Sequence, residues 1–394
     1  MGKVGLISLL YLSLCLVLSG CWDRKEVNDL AIIVGAAIDE GKEDPVLLTL
    51  LFMVTSGGTG GSSMGSQSNE TQQQEVLMSV EGKTIADAVS KMQEKLSRRI
   101  FWGHNRVIIF GEKLAKKGIK EHIDFFVRHP ETRLRAFTFI SKGEAHTLLE
   151  TEPLLEESRA EMLRELMELD IAIKVPIKEL MSLLSKEGEN AVIPWIETAE
   201  LTPEKPEKGY RLNGLAVISN GKMIDKLTQK ESRGLMWIQD KIEQATITVQ
   251  PNEEEKPVTM IHLHAKTDLK AKVENGEPIV YLKIRTEDDV LQNASKINLL
   301  DEKAVKDLEK QAAQDISSYI DLVLNRVQKE LQVDALGFSD AFLRADPKWW
   351  KSVEKEWDEI FPTIKVEKDV KVFVRRQGMV TEPSGIPKEE LKEK

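Results

Sequence analysis

The chain has 394 residues, of which 41% are hydrophobic and 30% charged, enough for two or three domains with a sizeable buried core. Its formal net charge of −10 has the wrong sign for nucleic acid, whose binders present a basic patch. Arg98-Arg99 and Arg375-Arg376 are isolated pairs that read as solvated or ion-paired.

Lys3 supplies a positive charge, Val4 to Leu18 is an unbroken apolar or small-residue run, and charge returns at Asp23-Arg24-Lys25-Glu26. A spanning helix needs about 20 apolar residues, so residues 1–20 read as a secretory signal. Leu18-Ser19-Gly20-Cys21 resembles a lipobox, in which the cysteine thiol is joined to diacylglycerol and becomes the new N-terminus. An ordinary signal or a short membrane anchor is the competing reading. Two acyl chains hold a protein stably where one, at about 0.8 kcal/mol per buried CH₂, binds only marginally. The mature chain is therefore expected at the outer face of the cytoplasmic membrane with no protein segment crossing it. Cys15 leaves with the signal and Cys21 is taken by lipid, which removes disulfides, thiolate metal sites and a cysteine nucleophile from the mature domain.

Leu30 to Ile38 and Val46 to Val54 read as strands joined by the turn at residues 40–45. Residues 56–74 are Gly, Ser, Gln, Asn and Thr apart from Glu70 and Met64, the only large apolar residue, a composition that predicts a mobile loop. Glu75 to Glu81 resumes a strand. A helix over 84–98 is capped by Thr84 and striped by Ile85, Ala88, Val89, Met92 and Leu96. A strand at Val107 to Phe110, a helix over 113–127, a strand at Leu134 to Ile140, helices over most of 144–185 and a last strand at Ala191 to Thr198 complete an N-terminal domain, residues 21–200. The mixture lacks a steady βαβ rhythm, so the expected class is α+β with antiparallel-rich sheets rather than a doubly wound sheet.

The proline-punctuated run 202–208 reads as a linker and the best domain boundary. A small middle domain, 205–242, is expected from a hairpin around Asn220-Gly221 and a helix through Leu235 to Ile242. A C-terminal α+β domain, 243–380, follows with strands at 245–249, 258–268 and 278–291. Its longest element runs over 301–331, where Val305, Leu308, Ala312, Ile316, Tyr319, Val323, Val327 and Leu331 recur at spacings of three and four. At ~1.5 Å per residue this helix would reach roughly 45 Å. A helix pair around 338–361, a final strand at 365–374 and a charged tail, 381–394, end the chain.

No catalytic constellation stands out. Gly61-Ser62-Ser63-Met64-Gly65 matches G-x-S-x-G in letters, but a nucleophile elbow needs a strand-to-helix turn and no helical stripe follows Ser63. The same loop lacks the Gly-Lys-Ser/Thr of a phosphate-cradling loop. His262 and His264 fall on one face of a strand with Asp268 further along, which suits zinc. The apolar residues on the opposite face argue instead that these histidines face water. His104, His122, His129 and His146 have no partner spacing. Glu156-Glu157 and Asp288-Asp289 mean little among 65 acidic residues, and Glu161, Glu165 and Glu168 read as a solvated helix face. Trp349, Trp350, Trp357 and Phe361 form either an exposed binding surface or, on their spacings of seven and four, one buried helix face.

Four segments together resemble the C-subunit lipoproteins of bacterial spore germinant receptors. They are Cys21 to Ala31; Trp102-Gly103-His104 running on through 108–119 and 124–133; Leu212 to Val217 with Glu231-Ser232-Arg233-Gly234; and Asp334-Ala335-Leu336-Gly337-Phe338 followed by Pro347, Trp350, Trp357 and Phe361. The resemblance covers nearly the whole mature chain and contains no catalytic signature. It implies a multidomain α+β lipoprotein on the outer face of the spore inner membrane, acting with two integral-membrane subunits, non-enzymatic and without cofactor or metal. Cys21 alone carries over with a chemical role, lipid attachment; Gly214, Gly337, Pro347 and Trp350 carry over as structural. Two other classes stay open: an extracytoplasmic lipoprotein presenting a small nutrient to a membrane partner, and a cell-envelope hydrolase resting on Ser63.

Overall fold

The computed structural model describes residues 27–54, 74–152, 156–169, 171–186, 190–200, 208–243, 245–251 and 256–376. Cys21, the loop with Ser63, most of the 202–208 run and the tail after Thr381 lie outside them.

These residues form the expected mixed architecture, built on two sheets. In the first sheet the strand order is β3-β2-β1-β5-β6-β7-β8-β9, with β4 also paired to β1. The strands are β1 (Leu30–Glu40), β2 (Val46–Val54), β3 (Gln74–Gly82), β4 (Arg99–Phe101), β5 (Val107–Gly111), β6 (Phe137–Ser141), β7 (Ala191–Glu200), β8 (Lys208–Ser219) and β9 (Lys222–Leu227). β1 is buried along all but its end residues, which explains its continuous apolar run: it is covered on both faces. One face packs against α1 (Ile85–Gln93), α2 (Glu112–Lys117), α3 (Lys120–Arg128) and α6 (Ile177–Leu184). The other meets α4 (His146–Glu150) and α5 (Arg159–Glu168) through Leu148, Leu149, Ala160, Leu163 and Met167. β1, β5, β6 and β7 are mutually parallel neighbours, a run that the sequence reading did not anticipate.

Three local expectations change. The helix over 84–98 stops at Gln93, whose side chain accepts from Ile100 N–H and donates to the Arg98 carbonyl, pinning a turn in place of another helical turn. The helix over 113–127 is two helices, because Gly118 takes φ 143° and the N–H of Ile119 turns away to the carbonyl of Gly221. The expected middle unit, 205–242, is no sheet of its own. β8 pairs antiparallel with β7 and β9 with β8, so residues 208–227 extend the first sheet.

The second sheet runs β10-β11-β12-β13, with β10 (Thr246–Val249), β11 (Val258–Glu274), β12 (Glu277–Asn293) and β13 (Lys365–Arg376). β11 and β12 form a long hairpin whose turn, Asn275-Gly276, takes φ 53° and 87°, the backbone that such a pair tolerates best. α7 (Gln229–Ile238) starts at a capping box made by Thr228 and Glu231 and packs on α8 (Glu302–Val323). α8 continues through a π-helical segment, Leu324–Glu330, and buries Leu308, Ala312, Ile316, Ile320 and Val323 on the sheet side. Three short helices, α9 (Phe338–Ala345), α10 (Pro347–Val353) and α11 (Trp357–Ile360), precede β13. No helix among the described residues is long and apolar enough to cross a membrane.

Candidate functional site

The histidine pair does not assemble. The β11 register slips between His262 and His264, so the pleat changes phase there. His262 turns inward, 4% exposed, with its Nδ1 2.8 Å from Asp288 Oδ1 and 3.1 Å from Thr286 Oγ1. The Trp237 ring stands edge-on to it at 5.0 Å. His264 stays exposed, and Asp268 pairs with Lys270 at 3.0 Å. The expectation that both histidines face water therefore fails for His262, and the cause is a one-residue bulge. No group of three His, Cys, Asp or Glu poised for a metal occurs among the described residues.

The other titratable candidates serve the fold. Asp39, 3% exposed, accepts from the N–H groups of Ala145 and His146 at 2.6 and 2.9 Å and lies 3.1 Å from His146 Nδ1, fastening α4 to β1. Burial holds the His122 imidazole below its ordinary value, against the pull of Glu121. Glu161, Glu165 and Glu168 are ion-paired rather than merely solvated: all three meet Arg164, and Glu161 also meets Arg106. Asp288 belongs with His262, while Asp289 faces Arg376 at 3.8 Å.

The tryptophan cluster is packed, as its spacing suggested, although three short helices supply it instead of one. Trp350 on α10 meets Trp357 on α11 at 4.8 Å, and Phe342 on α9 lies 5.7 Å from Trp357 and 5.0 Å from Trp349. Asp334 sits beneath this cluster. Its Oδ1 accepts from Gly337 and Phe338 N–H at 3.0 Å each, and its Oδ2 from Ser339 N–H at 2.6 Å and Trp357 Nε1 at 3.2 Å. Burial pushes this carboxyl up while those donors pull it down. Gly337, at φ 81°, makes the bend that lets one carboxylate reach the start of α9. Pro347 opens α10, where its missing N–H costs nothing, behind the cap from Asp346.

The remaining resemblance segments are equally structural. Trp102 is fully buried among Phe125 at 5.3 Å, Phe126 at 5.6 Å and His129 at 6.1 Å. Asn213 donates to Glu197 at 3.0 Å, and Gly214, at φ 105°, leaves no room for a side chain: a Cβ there would lie 2.0 Å from the Leu227 carbonyl oxygen.

A groove of about 780 Å³ lies between the two sheets' domains, with Ile173, Leu183 and Val192 on one side and Leu269, Leu336 and Trp350 on the other. Lys241 reaches Glu179 across it at 3.2 Å, Lys186 reaches Asp340 at 2.5 Å, and Gln239 Nε2 donates to the Ala335 carbonyl at 3.0 Å. These contacts pair part of its polar rim, and among the described residues no group of three metal-ligating side chains lines it. Sequence reasoning missed this groove because its walls come from segments far apart in the chain.

Comparisons with known proteins agree with this picture. Residues 23–198 match the family described as "Spore germination protein N-terminal domain", and residues 213–378 match "Spore germination B3/ GerAC like, C-terminal". The protein YfkR of Bacillus subtilis (strain 168) is 28% identical over 372 residues, covering 94% of this chain and 96% of its own. Spore germination protein KC of the same organism is 26% identical over 399 residues, with 96% and 97% covered. The crystal structure of the GerBC protein superposes with a TM-score of 0.57 at 20% identity, over 89% of this chain and 100% of that one, and shows the same fold. With both halves matched, the chain belongs to the GerAC/B3-like family of spore germination proteins, the C-subunit family.

Proposed function

We propose that this protein is the lipid-anchored C subunit of a spore germinant receptor, held through Cys21 at the outer face of the spore inner membrane. There it assembles with two integral-membrane subunits and works by contact rather than by catalysis. The observation that carries this reading is that the family match begins at residue 23, two residues beyond the lipobox-like Cys21, and runs on to residue 378. Eight residues separate Cys21 from Leu30, the first residue of β1, and the nine Cα steps between them can span at most about 32 Å. The folded domain would therefore ride close to the bilayer. Non-catalytic action is supported by the buried aspartates, since Asp39, Asp288 and Asp334 each hold donors of the fold.

The groove between the domains favours a second reading, a lipoprotein that presents a small nutrient to a membrane partner. One experiment separates the two: recovery of the lipidated protein from detergent-solubilised spore membranes, with mass spectrometry of what accompanies it. Two polytopic receptor subunits are the expected result. An ABC permease, or no partner, would overturn the receptor assignment and favour the nutrient-presenting alternative.

A further inference from the structure

The first sheet has a basic end, and it is the end at which the chain arrives from Cys21. β4 pairs parallel with β1, so Arg99, its first residue, lies opposite Leu30. β5 and β6 run the same way, so the segment that leads into β6 approaches from that end too, and Glu131 within it meets Arg99 at 3.2 Å. The two segments that meet there, 94–99 and 129–136, hold Lys95, Arg98, Arg99, Arg133 and Arg135 against Glu94 and Glu131, a balance of +3, and the exposed Asp29 before Leu30 leaves +2 in a chain whose net charge is −10. Arg99, Arg133 and Arg135 are exposed, and Leu134 between the last two is 37% exposed. Among the described residues, Arg99 is the one member of the four arginines given a carboxylate partner. The neighbouring imidazoles register the same field. Burial is the larger cause of the lowered pKa of His104, and Arg133 and Arg106 add to it. Burial likewise lowers His129, with Glu131 opposing and Arg99 assisting.

We propose that this end of the first domain is a docking face for anionic phospholipid headgroups, with Arg98, Arg99, Arg133 and Arg135 as its cations and Leu134 as an apolar contact. The proposal rests on the reading of Cys21 as the anchor. The eight residues between Cys21 and Leu30 keep Leu30 within about 32 Å of the anchor even when fully extended, and Arg99 lies opposite Leu30 on the neighbouring strand. Contact then brings them inside the ~8–10 Å over which an anionic surface attracts cations. A guanidinium binds a phosphodiester oxygen pair through two N–H groups, which suits it to a headgroup surface. The tether makes this contact intramolecular, so weak individual contacts suffice. The docked face would orient the domain and limit which of its surfaces can meet the membrane subunits.

The test uses the lipidated protein in vesicles of phosphatidylcholine with one part in four phosphatidylglycerol, and in vesicles of phosphatidylcholine alone. Sedimentation reads the anchor; amide hydrogen exchange over 94–99 and 129–136 reads the face. Exchange in these segments is expected to slow at least about five-fold on the anionic vesicles only, and raised salt is expected to erase the difference. R98E/R99E/R133E/R135E should abolish the slowing, and the milder R98Q/R133Q/R135Q should reduce it, while both variants still sediment. Equal exchange on the two vesicle types would overturn the face and leave the anchor standing. Sedimentation with anionic vesicles alone, lost in salt, would uphold the face and remove the anchor. Failure to sediment with either would remove both. Protection that appears only when the receptor's membrane subunits share the vesicle would overturn the lipid assignment in favour of an acidic protein surface.

Discussion

Replacing Asp334 with alanine is expected to destabilise the protein by about 4 kcal/mol, a large loss for one surface-free carboxylate. Three backbone N–H groups at the start of α9 and the indole N–H of Trp357 all end on this side chain, which is 8% exposed. Losing a helix cap costs about 1 kcal/mol, and each buried donor left without an acceptor adds about 1–3 kcal/mol, less what water recovers. Asp334→Asn retains one acceptor oxygen and should recover about half of the loss. Urea denaturation followed by tryptophan fluorescence measures this directly, because Trp350 and Trp357 pack over the site. A loss below about 1 kcal/mol would mean that water replaces the carboxylate and that the Asp334-to-Phe338 segment is not a latch.

A similar effect is expected at Gly234, with the opposite sign from the usual helix rule. Glycine inside a helix costs about 1 kcal/mol relative to alanine, so Gly→Ala normally stabilises. Here a Cβ would lie 2.0 Å from the Tyr319 carbonyl oxygen and 3.0 Å from Val323 Cγ1, both on α8. α7 can accept a side chain only by moving away from α8, and overpacking of this kind costs about 1–3 kcal/mol or more. Gly234→Val should therefore lose about 3 kcal/mol and loosen Trp237 from His262, changing the near-ultraviolet circular dichroism. Gly276→Ala is the control: it takes φ 87° but meets nothing within 4 Å, so only backbone strain of about 1 kcal/mol is expected. An increase in stability for Gly234→Ala would show that the helices are not held at this distance.

These two sites show what the resemblance segments encode. Asp334, Gly337, Trp357, Gly214, Gly234 and Trp102 each answer a packing or hydrogen-bonding demand of this fold. None of them touches a common reactive centre.

Local pattern carried far in this chain. The apolar run of β1, the stripe of α8 and the Asn220-Gly221 turn are all decided by residues close in sequence, and the structure places them where periodicity put them, except that Ile320 rather than Tyr319 takes the buried position in the stripe. What was missed depends on distant pairing. Nothing near 208–227 says that these strands complete a sheet begun at Leu30, since that follows from β7 meeting β8. The inward turn of His262 depends on a bulge, and strict alternation cannot express one. Arg98 and Arg99 looked isolated because Arg133 and Arg135, which share their end of the sheet, are more than thirty residues away in sequence. The proposed lipidation of Cys21 could be read because a lipobox-like run is a contiguous signal; the inter-domain groove is assembled by folding and had no such signal.

The central claim is that a lipid on Cys21 places a non-catalytic subunit where its receptor partners are. The most direct measurement compares wild-type and Cys21→Ala spores for the share of this protein retained in the membrane fraction and for the rate of nutrient-triggered germination. Loss of membrane retention together with loss of germination through this receptor is the predicted result. Full germination by spores whose protein is soluble and unlipidated would contradict it.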